Sequence, residues 1–534
     1  MNPLDDPGAG RIAPLLRRFD GAPDALTLYA ALSDGGTRPH TALLESADAT
    51  TGIGERTLLM AGAAAHLEAD LEEVRVSATS PNGVALIDWL ATALPEARVR
   101  DAGRLLVAPQ RRAPAAIRDE GERFRSPSPL DLLRRVIEGP RLTSEPGPWC
   151  HLAIGCMGYD LIDYFEVLPA GAPDPLDQPV IEWWVPDELL VLDHLRNQVS
   201  VVACAWGGAR FAERYHDASR AIARLTALAG ATPPAARLST PLPRAAPDQL
   251  PDGLDADGLA YAEVVARLKR FHRSGEVYQV VPSRTFTAPC PDPLAAYARL
   301  RVMNPSPYLF YLRSPARVLF GASPETCLRI DGAAGRVAIR PIAGTAARGR
   351  TTDGRIDHEL DARLEAALRA DAKEMAEHLM LVDLARNDVA RISVPGTRRV
   401  SRLLTVERYS HVMHLVSEVE GTLRPGVDPL EAYAATMNMG TLVGAPKVRA
   451  AAILREVERS RRGCYGGAVG YLTQAGTLET AIVIRSAVVA DGVAHVHAGA
   501  GIVLDSDPVA EAWETARKAQ AVLAAIGAEE LVDA

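Results

Sequence analysis

A proline-rich stretch at residues 231–253 does most to limit how this chain can fold. It carries six prolines in 23 residues and few large apolar side chains. Because proline has a fixed φ angle and no backbone N–H, such a stretch neither continues a helix nor pairs inside a sheet. We therefore expect a linker at 231–253 between an N-terminal region, 1–230, and a C-terminal region, 254–534. Each region is long enough to build its own hydrophobic core.

Helix and strand patterns occur together in the N-terminal region. Strand-like runs at 180–185 and 188–192 are followed by a polar turn and a third run at 200–204, which predicts a hairpin. Residues 211–229 predict a helix. Because strands and helices are mixed without the regular spacing of βαβ units, we expect an α+β fold rather than a doubly wound parallel sheet.

The C-terminal region contains three patterns that carry candidate functional residues. Residues 361–385 show apolar side chains at helical spacing and predict one long helix. Residues 480–489 and 493–496 predict two strands joined by an Asp-Gly hairpin turn. Pro508, which follows a short polar run, predicts the first turn of a final helix.

The overall composition excludes several classes of protein. Of the 534 residues, 48% are hydrophobic and 23% are charged, which is typical of a globular chain. We find no apolar run of about 18 residues and no apolar segment at the acidic N-terminus, so we expect neither a membrane span nor a secretory signal. The net charge of −9 predicts no nucleic-acid partner. Six cysteines without a C-x-x-C pair predict no disulfide scaffold and fit a cytoplasmic protein.

Two predicted helices each carry a pair of carboxylates on one face. Glu374 and Glu377 lie three residues apart, and Glu511, Glu514 and Lys518 follow the same helical spacing. Oxygen ligands of this kind favour a hard cation such as magnesium over zinc. Spacing alone does not distinguish such a site from two solvated acidic faces.

A short run of small residues, 499–501, separates the last predicted strand from the final helix. Small side chains let a backbone approach an anion closely, and the exposed N–H groups can bind a carboxylate. An ordinary glycine turn at the end of a strand has the same sequence, so both interpretations stay open on this pattern alone.

The C-terminal region resembles the large, chorismate-binding subunit of anthranilate synthase, a family of chorismate-utilising enzymes. The resemblance is strong over about 255–525 and weak before it. It implies a large mixed β-sheet sandwich with surrounding helices. The matching strings are QVVPSR at 279–284, NPSPY at 304–308, FGASPE at 320–325, PIAGT at 341–345, the run from 373 to 388, ERYSHVMH at 407–414, GAPKVR at 444–449, YGGAVG at 465–470 and residues 498–506.

The resemblance implies a role for each candidate residue. Glu377 and Glu514 would bind Mg²⁺, with Glu374 and Glu511 beside them. Glu325 would be the general acid that protonates the departing hydroxyl of chorismate. The resemblance implies these further groups: His414 for pyruvate elimination; Thr441 and Lys518 as catalytic groups that contact the substrate; and Tyr465, Arg485, Gly344, Thr345, Gly499, Ala500 and Gly501 for chorismate binding.

Two positions separate the branches of this family. Relatives that add water at C2 of chorismate use a lysine base where this chain has Gln279. Relatives that make 4-amino-4-deoxychorismate carry a nucleophilic lysine where this chain has Ala343. Both positions imply addition of ammonia at C2. In the reaction of the family, loss of pyruvate then gives anthranilate.

The string LLES at 43–46 resembles the tryptophan feedback motif of the family. The resemblance implies that Ser46, Pro307, Tyr308 and Leu309 form an inhibitor site for L-tryptophan. The chain departs from the family at Val443, where a serine is usual. This change removes a hydroxyl beside the expected catalytic site.

The chain lacks an evident source of ammonia. Cys156 falls short of the G-x-C-x-G elbow of a glutamine amidotransferase, because residue 154 is isoleucine. The resemblance therefore implies a separate glutamine amidotransferase subunit, component II, in a hetero-oligomer. Two alternatives remain at this stage: an aminodeoxyisochorismate synthase of secondary metabolism that stops before pyruvate loss, and a catalytically silent tryptophan-binding regulator.

Overall fold

A computed structural model of the chain describes residues 5–46, 55–109, 119–144, 147–234, 254–351, 355–409 and 412–527. Most of the expected linker, residues 235–253, lies outside these ranges. No helix in the described ranges is long and apolar enough to cross a membrane.

The described residues before the expected linker form these elements: strands β1 (Arg11–Asp20), β2 (Thr41–Glu45), β3 (Arg56–Ala69), β4 (Glu73–Ala78), β5 (Arg98–Arg100), β6 (Leu105–Pro109), β7 (Arg141–Leu142), β8 (Leu152–Met157), β9 (Ile181–Asp193) and β10 (Gln198–Trp206); helices α1 (Ala25–Leu32), α2 (Pro81–Ala93), α3 (Glu120–Phe124), α4 (Pro129–Glu138) and α5 (Phe211–Ala231).

The described residues after it form these elements: strands β11 (Gln279–Val280), β12 (Ser283–Pro289), β13 (Tyr308–Arg313), β14 (Arg317–Ser323), β15 (Thr326–Asp331), β16 (Arg336–Ile339), β17 (Ile342–Ala347), β18 (Arg399–Arg408), β19 (Val412–Thr422), β20 (Gly444–Ala445), β21 (Ala468–Thr473), β22 (Leu478–Ile482), β23 (Ser486–Ala490) and β24 (Val493–Gly499); helices α6 (Ala256–Arg273), α7 (Pro293–Met303), α8 (His358–Ala370), α9 (Ala372–Ile392), α10 (Pro429–Thr436), α11 (Gly440–Val443), α12 (Lys447–Val457) and α13 (Pro508–Ile526).

The expected α+β class is confirmed, and the sheet is almost entirely antiparallel. Hydrogen-bonded pairing connects 22 strands of the described residues, while β11 and β20 pair separately. The short pairing of β1 with β7 is parallel. Antiparallel sheets bury one face and cover it with helices or a second sheet, which is the arrangement that the sequence resemblance implies.

Strands from the two regions pair directly with each other. β2 pairs with β13, with Glu45 opposite Leu309, and β8 pairs with β21, with Cys156 opposite Val469. The largest buried apolar cluster also draws residues from both regions, including Trp183 and Val443. The two regions therefore share strands and core.

Two sequence predictions of secondary structure were wrong in detail. The long helix expected over 361–385 is two helices, because Asp371 ends α8 and caps the N-terminus of α9. The strand expected over 480–489 is interrupted between β22 and β23, where Arg485 has a φ of 51°. The predicted hairpin of β9 and β10 and the predicted start of α13 are confirmed.

Candidate active site

The four candidate glutamates lie in the first two turns of α9 and α13. The side chain of Asp371 caps α9 by accepting from the backbone N–H groups of Lys373 and Glu374. Asp507 caps α13 in the same way. The positive end of each helix dipole favours the carboxylates of the first turn, Glu374 and Glu511.

Negatively charged side chains are concentrated between the N-terminal ends of α9 and α13. Burial raises the pKa of Glu374 and of Glu377, and Glu514 across the gap raises both further. Burial also raises the pKa of Glu511. Burial acts in the same direction on Glu514, but Lys518 outweighs it and lowers the pKa of Glu514 below its usual range. The charges of the two pairs therefore influence each other across the gap between the helices.

Two lysines neutralise part of this charge. Lys518 Nζ lies 2.6 Å from Glu514 Oε1 and donates to the carbonyl oxygen of Gly499 at 3.0 Å. Lys373 Nζ lies 3.8 Å from Glu377 Oε1. Four carboxylates with two ammonium groups leave a net negative charge, and an all-oxygen donor set suits a hard divalent cation. The donor chemistry of these residues therefore suits a magnesium ion, and no three of these four carboxylates, all in the described ranges, bring oxygens within 4.8 Å of one another.

Another group of possible metal ligands, closer together than the four glutamates, lies elsewhere in the fold. Within the described ranges, the group of His, Cys, Asp or Glu ligand atoms that all lie within 4.8 Å is His66, Glu68 and Glu182. Arg317 already pairs with both carboxylates, at 3.3 Å from Glu182 and 3.6 Å from Glu68. This charge balance makes the cluster a structural ion pair.

Glu325 is a buried carboxyl with few polar neighbours. Its Oε1 accepts a hydrogen bond of 3.1 Å from Thr441 Oγ1, at the start of α11. Burial raises the pKa of Glu325 to about 8, against smaller opposing effects of Thr441 and Lys518. A carboxyl with this pKa is mostly protonated at neutral pH and can donate a proton.

His414 is held beside the strand that carries Gly344 and Thr345. Thr345 lies opposite His414 where β17 pairs with β19, and Thr345 Oγ1 is 2.9 Å from His414 Nδ1. Burial lowers the pKa of His414 to about 4, and the charge of Arg485 adds to this effect. The imidazole is therefore neutral at pH 7 and can accept a proton.

Of the expected substrate-binding groups, Tyr465 lies beside Gly499, and Arg485 lies beside Lys518, whose ammonium group contacts Gly499. A Cβ at Gly499 would lie 2.7 Å from the carbonyl oxygen of Pro282 and 3.1 Å from Tyr465 Oη, so a side chain there has no space. Arg485 Nη1 donates to the backbone oxygen of Lys518 at 2.9 Å. Gly344 belongs to the same site, because a Cβ there would lie 3.4 Å from Glu374 Oε2.

The sequence analysis missed the buried Arg462. Its guanidinium pairs with Glu458 at 2.6 Å and donates to the backbone oxygens of Leu442 and Val281. It also lies 5.7 Å from the ring centroid of Tyr465. Arg462 therefore holds the segments that carry Thr441 and Tyr465. No spacing signal separates it from the many other arginines of the chain.

Gln279, which the sequence analysis used to separate family branches, lies against the same glycine-rich run. It is buried, and its Nε2 occupies the space where a Cβ of Gly501 would be. Its Oε1 has no hydrogen-bond partner among the described residues. A neutral amide therefore lies beside the backbone of Gly501.

The four expected inhibitor residues line one cavity. Ser46, Pro307, Tyr308 and Leu309 surround an empty volume of about 620 Å³ together with residues of β3, β15, β21 and β22. Charged groups at its wall include Arg56, Arg329, Glu55 and Glu479. We call this space the regulatory cavity, after the inhibitor site that the sequence resemblance implies.

The glutamate of the LLES string has a different function from the serine beside it. Glu45 Oε1 accepts a hydrogen bond of 2.5 Å from Tyr297 Oη and lies 2.9 Å from Arg301 Nε. Its side chain therefore anchors β2 to α7, whose residues belong to the C-terminal region. This anchor fixes the edge of the regulatory cavity.

A family profile described as chorismate binding enzyme matches residues 97–524. The chain therefore belongs to the family of chorismate binding enzymes. The match begins before the expected linker, in agreement with strands and core that the two regions share.

Within this family, the chain is similar over most of its length to proteins named anthranilate synthase component 1. The chain is 44% identical over 506 residues to anthranilate synthase component 1 of Vibrio cholerae, covering 94% of each protein. It is 45% identical over 499 residues to the pyocyanine-specific anthranilate synthase component 1 of Pseudomonas aeruginosa, covering 91% of this chain and 90% of that protein. The crystal structure of anthranilate synthase component I from Streptococcus pneumoniae superimposes with a TM-score of 0.65 at 29% identity, covering 88% of this chain and 92% of that one.

Proposed function

We propose that this chain converts chorismate and ammonia to anthranilate and pyruvate, as the chorismate-binding component of an anthranilate synthase. The observation that carries the proposal is the position of Lys518. Its ammonium group contacts Glu514 of the carboxylate cluster and the Gly499 carbonyl. Burial raises the pKa of Glu325, and the charge of Lys518 opposes part of that rise. One side chain thus connects the cation ligands, the substrate-binding backbone and the general acid.

Chorismate carries two carboxylates and a hydroxyl at C4, and each finds a complementary group in this site. Arg485 suits one carboxylate, whereas the N–H of Ala500 already donates to the oxygen of Pro282 at 3.3 Å. The proposed ligands of Mg²⁺ are Glu377 and Glu514, supported by Glu374 and Glu511. When bound there, the ion would neutralise the ring carboxylate and so favour attack on the ring.

The two proton carriers have opposite protonation states at neutral pH. Glu325 holds a proton that it can donate to the hydroxyl as the C–O bond breaks, while ammonia adds at C2. His414 is neutral and can accept a proton in the later loss of pyruvate. Thr441 and Thr345 orient these two groups through their hydroxyls. A site with one acid and one base supports two consecutive half-reactions.

The surroundings of Val443 give no support to the alternative function, an aminodeoxyisochorismate synthase that stops before pyruvate loss. Its side chain is completely buried in the largest apolar cluster, and its backbone oxygen accepts from Val281 N at 3.1 Å. The valine therefore packs the end of α11 into the core, and no contact among the described residues connects it with His414.

We further propose that the N-terminal region regulates and the C-terminal region catalyses. L-Tryptophan would occupy the regulatory cavity, and a glutamine amidotransferase subunit would supply ammonia. The partner is needed because free ammonia is mostly protonated at neutral pH and therefore not nucleophilic.

A product assay tests the proposal. Purified protein with chorismate, Mg²⁺ and an ammonium salt at alkaline pH should develop anthranilate fluorescence, but glutamine should not replace ammonium until the partner is added. Glu325→Gln is the matched negative control. Consumption of chorismate without anthranilate would indicate the aminodeoxyisochorismate synthase instead. Tryptophan binding without any consumption of chorismate would indicate a silent regulator.

A further inference from the structure

Tyr308 lies between the regulatory cavity and the segment that carries the general acid. Its ring lines the cavity. Its hydroxyl is 2.9 Å from Thr326 Oγ1, and Thr326 is only 2% exposed. Thr326 is the residue directly after Glu325. One hydrogen bond therefore separates the wall of the cavity from the backbone of the acid.

Glu325 lies in the short connection between β14 and β15, and these two strands pair with different neighbours. β14 pairs with β13 and β23, whereas β15 pairs with β16 and β22. The backbone of Glu325 is held on both sides: its N–H donates to Ser323 Oγ at 3.3 Å, and its oxygen accepts from Ile482 N at 3.0 Å. Its carboxyl, by contrast, has one hydrogen bond in the described ranges, to Thr441. The position of the carboxyl therefore depends on the backbone.

A second set of contacts connects the regulatory cavity with the backbone of Glu325. Ala481 lines the regulatory cavity and lies opposite Thr326 where β15 pairs with β22. The next residue, Ile482, binds the backbone oxygen of Glu325. The cavity and the acid thus share the wall formed by β15 and β22.

We propose that the hydrogen bond between Tyr308 and Thr326 transmits occupancy of the regulatory cavity to Glu325. Thr326 is then a positioning residue for the general acid. The inference rests on the proposed function, in which L-tryptophan fills the cavity and Glu325 protonates the leaving hydroxyl.

The physical basis is the cost of leaving buried hydroxyls without partners. The tyrosine side chain has only two rotatable bonds before its rigid ring, so a ligand that displaces the ring displaces the hydroxyl with it. Thr326 must follow or lose its hydrogen bond in a buried position, which is unfavourable. Movement of Thr326 shifts Glu325 relative to Thr441 and the substrate. A ligand with different affinity for the two arrangements changes their populations.

The test compares Thr326→Val, which removes the hydroxyl at nearly constant volume, with Thr326→Ser, which keeps it. Thr480→Val is the matched control, because Thr480 makes buried hydrogen bonds to Leu328 in the same strand pair without contacting Tyr308. Anthranilate formation is measured with ammonium, with and without saturating tryptophan. The tryptophan Kd is measured by equilibrium dialysis, with and without chorismate in the absence of ammonia.

In Thr326→Val, we expect the tryptophan Kd to stay within about threefold of wild type, while the inhibition by saturating tryptophan weakens at least about fivefold. Because coupling between two binding sites is reciprocal, chorismate should change the tryptophan Kd of Thr326→Val less than that of wild type. Thr326→Ser and Thr480→Val should keep both effects. If Thr326→Val does not fold, Tyr308→Phe removes the other hydroxyl and should give the same uncoupling.

Inhibition of Thr326→Val equal to that of wild type would overturn the inference and leave the inhibitor site intact. Loss of tryptophan binding in Thr326→Val would also overturn it, since Thr326 would then shape the cavity instead of connecting it with Glu325. If wild type itself binds no tryptophan, the proposed inhibitor site fails and the inference fails with it.

Discussion

The proposed catalytic site and the regulatory cavity are built by different means. The proposed catalytic residues lie between 325 and 518, in one region of the chain, and most are close to a helix N-terminus or a strand end. The cavity is assembled from strands of both regions, because β2 pairs with β13. The first site depends on single polar atoms, whereas the second depends on shape. The two should therefore respond to different substitutions.

The largest effect is expected from removing a proposed metal ligand. Glu377→Ala or Glu514→Ala should lower turnover about a thousandfold, because the charge that stabilises the reacting ring is lost. Tryptophan binding should persist, since the cavity is unaffected. Asp383→Ala is the control on α9, where Asp383 is exposed and pairs with Arg386 at 2.7 Å. Anthranilate fluorescence is measured across a Mg²⁺ titration. Unchanged activity of both glutamate variants at saturating Mg²⁺ would remove the metal assignment.

Glu325→Gln should lower turnover about a hundredfold or more, because an amide cannot donate a proton. Burial raises the pKa of Glu325 to about 8, so wild-type kcat at constant free ammonia should fall as pH rises above 8. The carboxyl ionises near 4.5 when unfolded, so its contribution to stability is present below that pH and is lost as pH rises through 8. Glu325→Gln should therefore melt at a higher temperature than wild type at pH 9. A wild-type kcat that does not change between pH 7 and 9.5 would contradict this role.

His414→Met separates the two half-reactions. We expect chorismate consumption within about tenfold of wild type, with anthranilate formation lowered about a hundredfold and aminodeoxyisochorismate accumulating. Chromatography of the products measures both quantities in one sample. Loss of chorismate consumption as well would show that the histidine acts before pyruvate elimination.

Ser46→Phe should affect the regulatory cavity alone. The larger side chain fills part of a space of about 620 Å³, so the concentration of tryptophan needed for half inhibition should rise at least about tenfold. Activity without tryptophan should stay unchanged. Ser46→Ala leaves the space open and should keep inhibition. If millimolar tryptophan has no effect on wild type, the LLES string does not mark an inhibitor site.

The smallest effect on activity is expected at Val443. Because this residue is completely buried among apolar side chains, Val443→Ser should lower the free energy of unfolding by about 1–3 kcal/mol. Anthranilate output per folded molecule should stay the same. Increased output in Val443→Ser would indicate that the missing hydroxyl takes part in catalysis.

Local sequence patterns predicted which helices and strands form better than they predicted where each one begins and ends. The start of α13 was predictable, because Asp507 and Pro508 are a capping residue and a first-turn proline. The break between α8 and α9 was not, since Asp371 caps a helix only when the chain turns there, and the apolar spacing continues through it. The interruption at Arg485 depends on a positive φ that no side-chain pattern reveals.

The sequence by itself determined the family and most of the candidate residues, because those residues sit in short motifs whose members are neighbours in the chain. Only the tertiary structure decided how they act together. The protonation states of Glu325 and His414 depend on burial by distant segments, and the regulatory cavity needs β2 beside β13. The hydrogen bond of 2.9 Å between Tyr308 and Thr326 joins β13 and β15, which do not pair with each other. Strand pairing between them therefore does not explain it, and it becomes visible only in the folded structure.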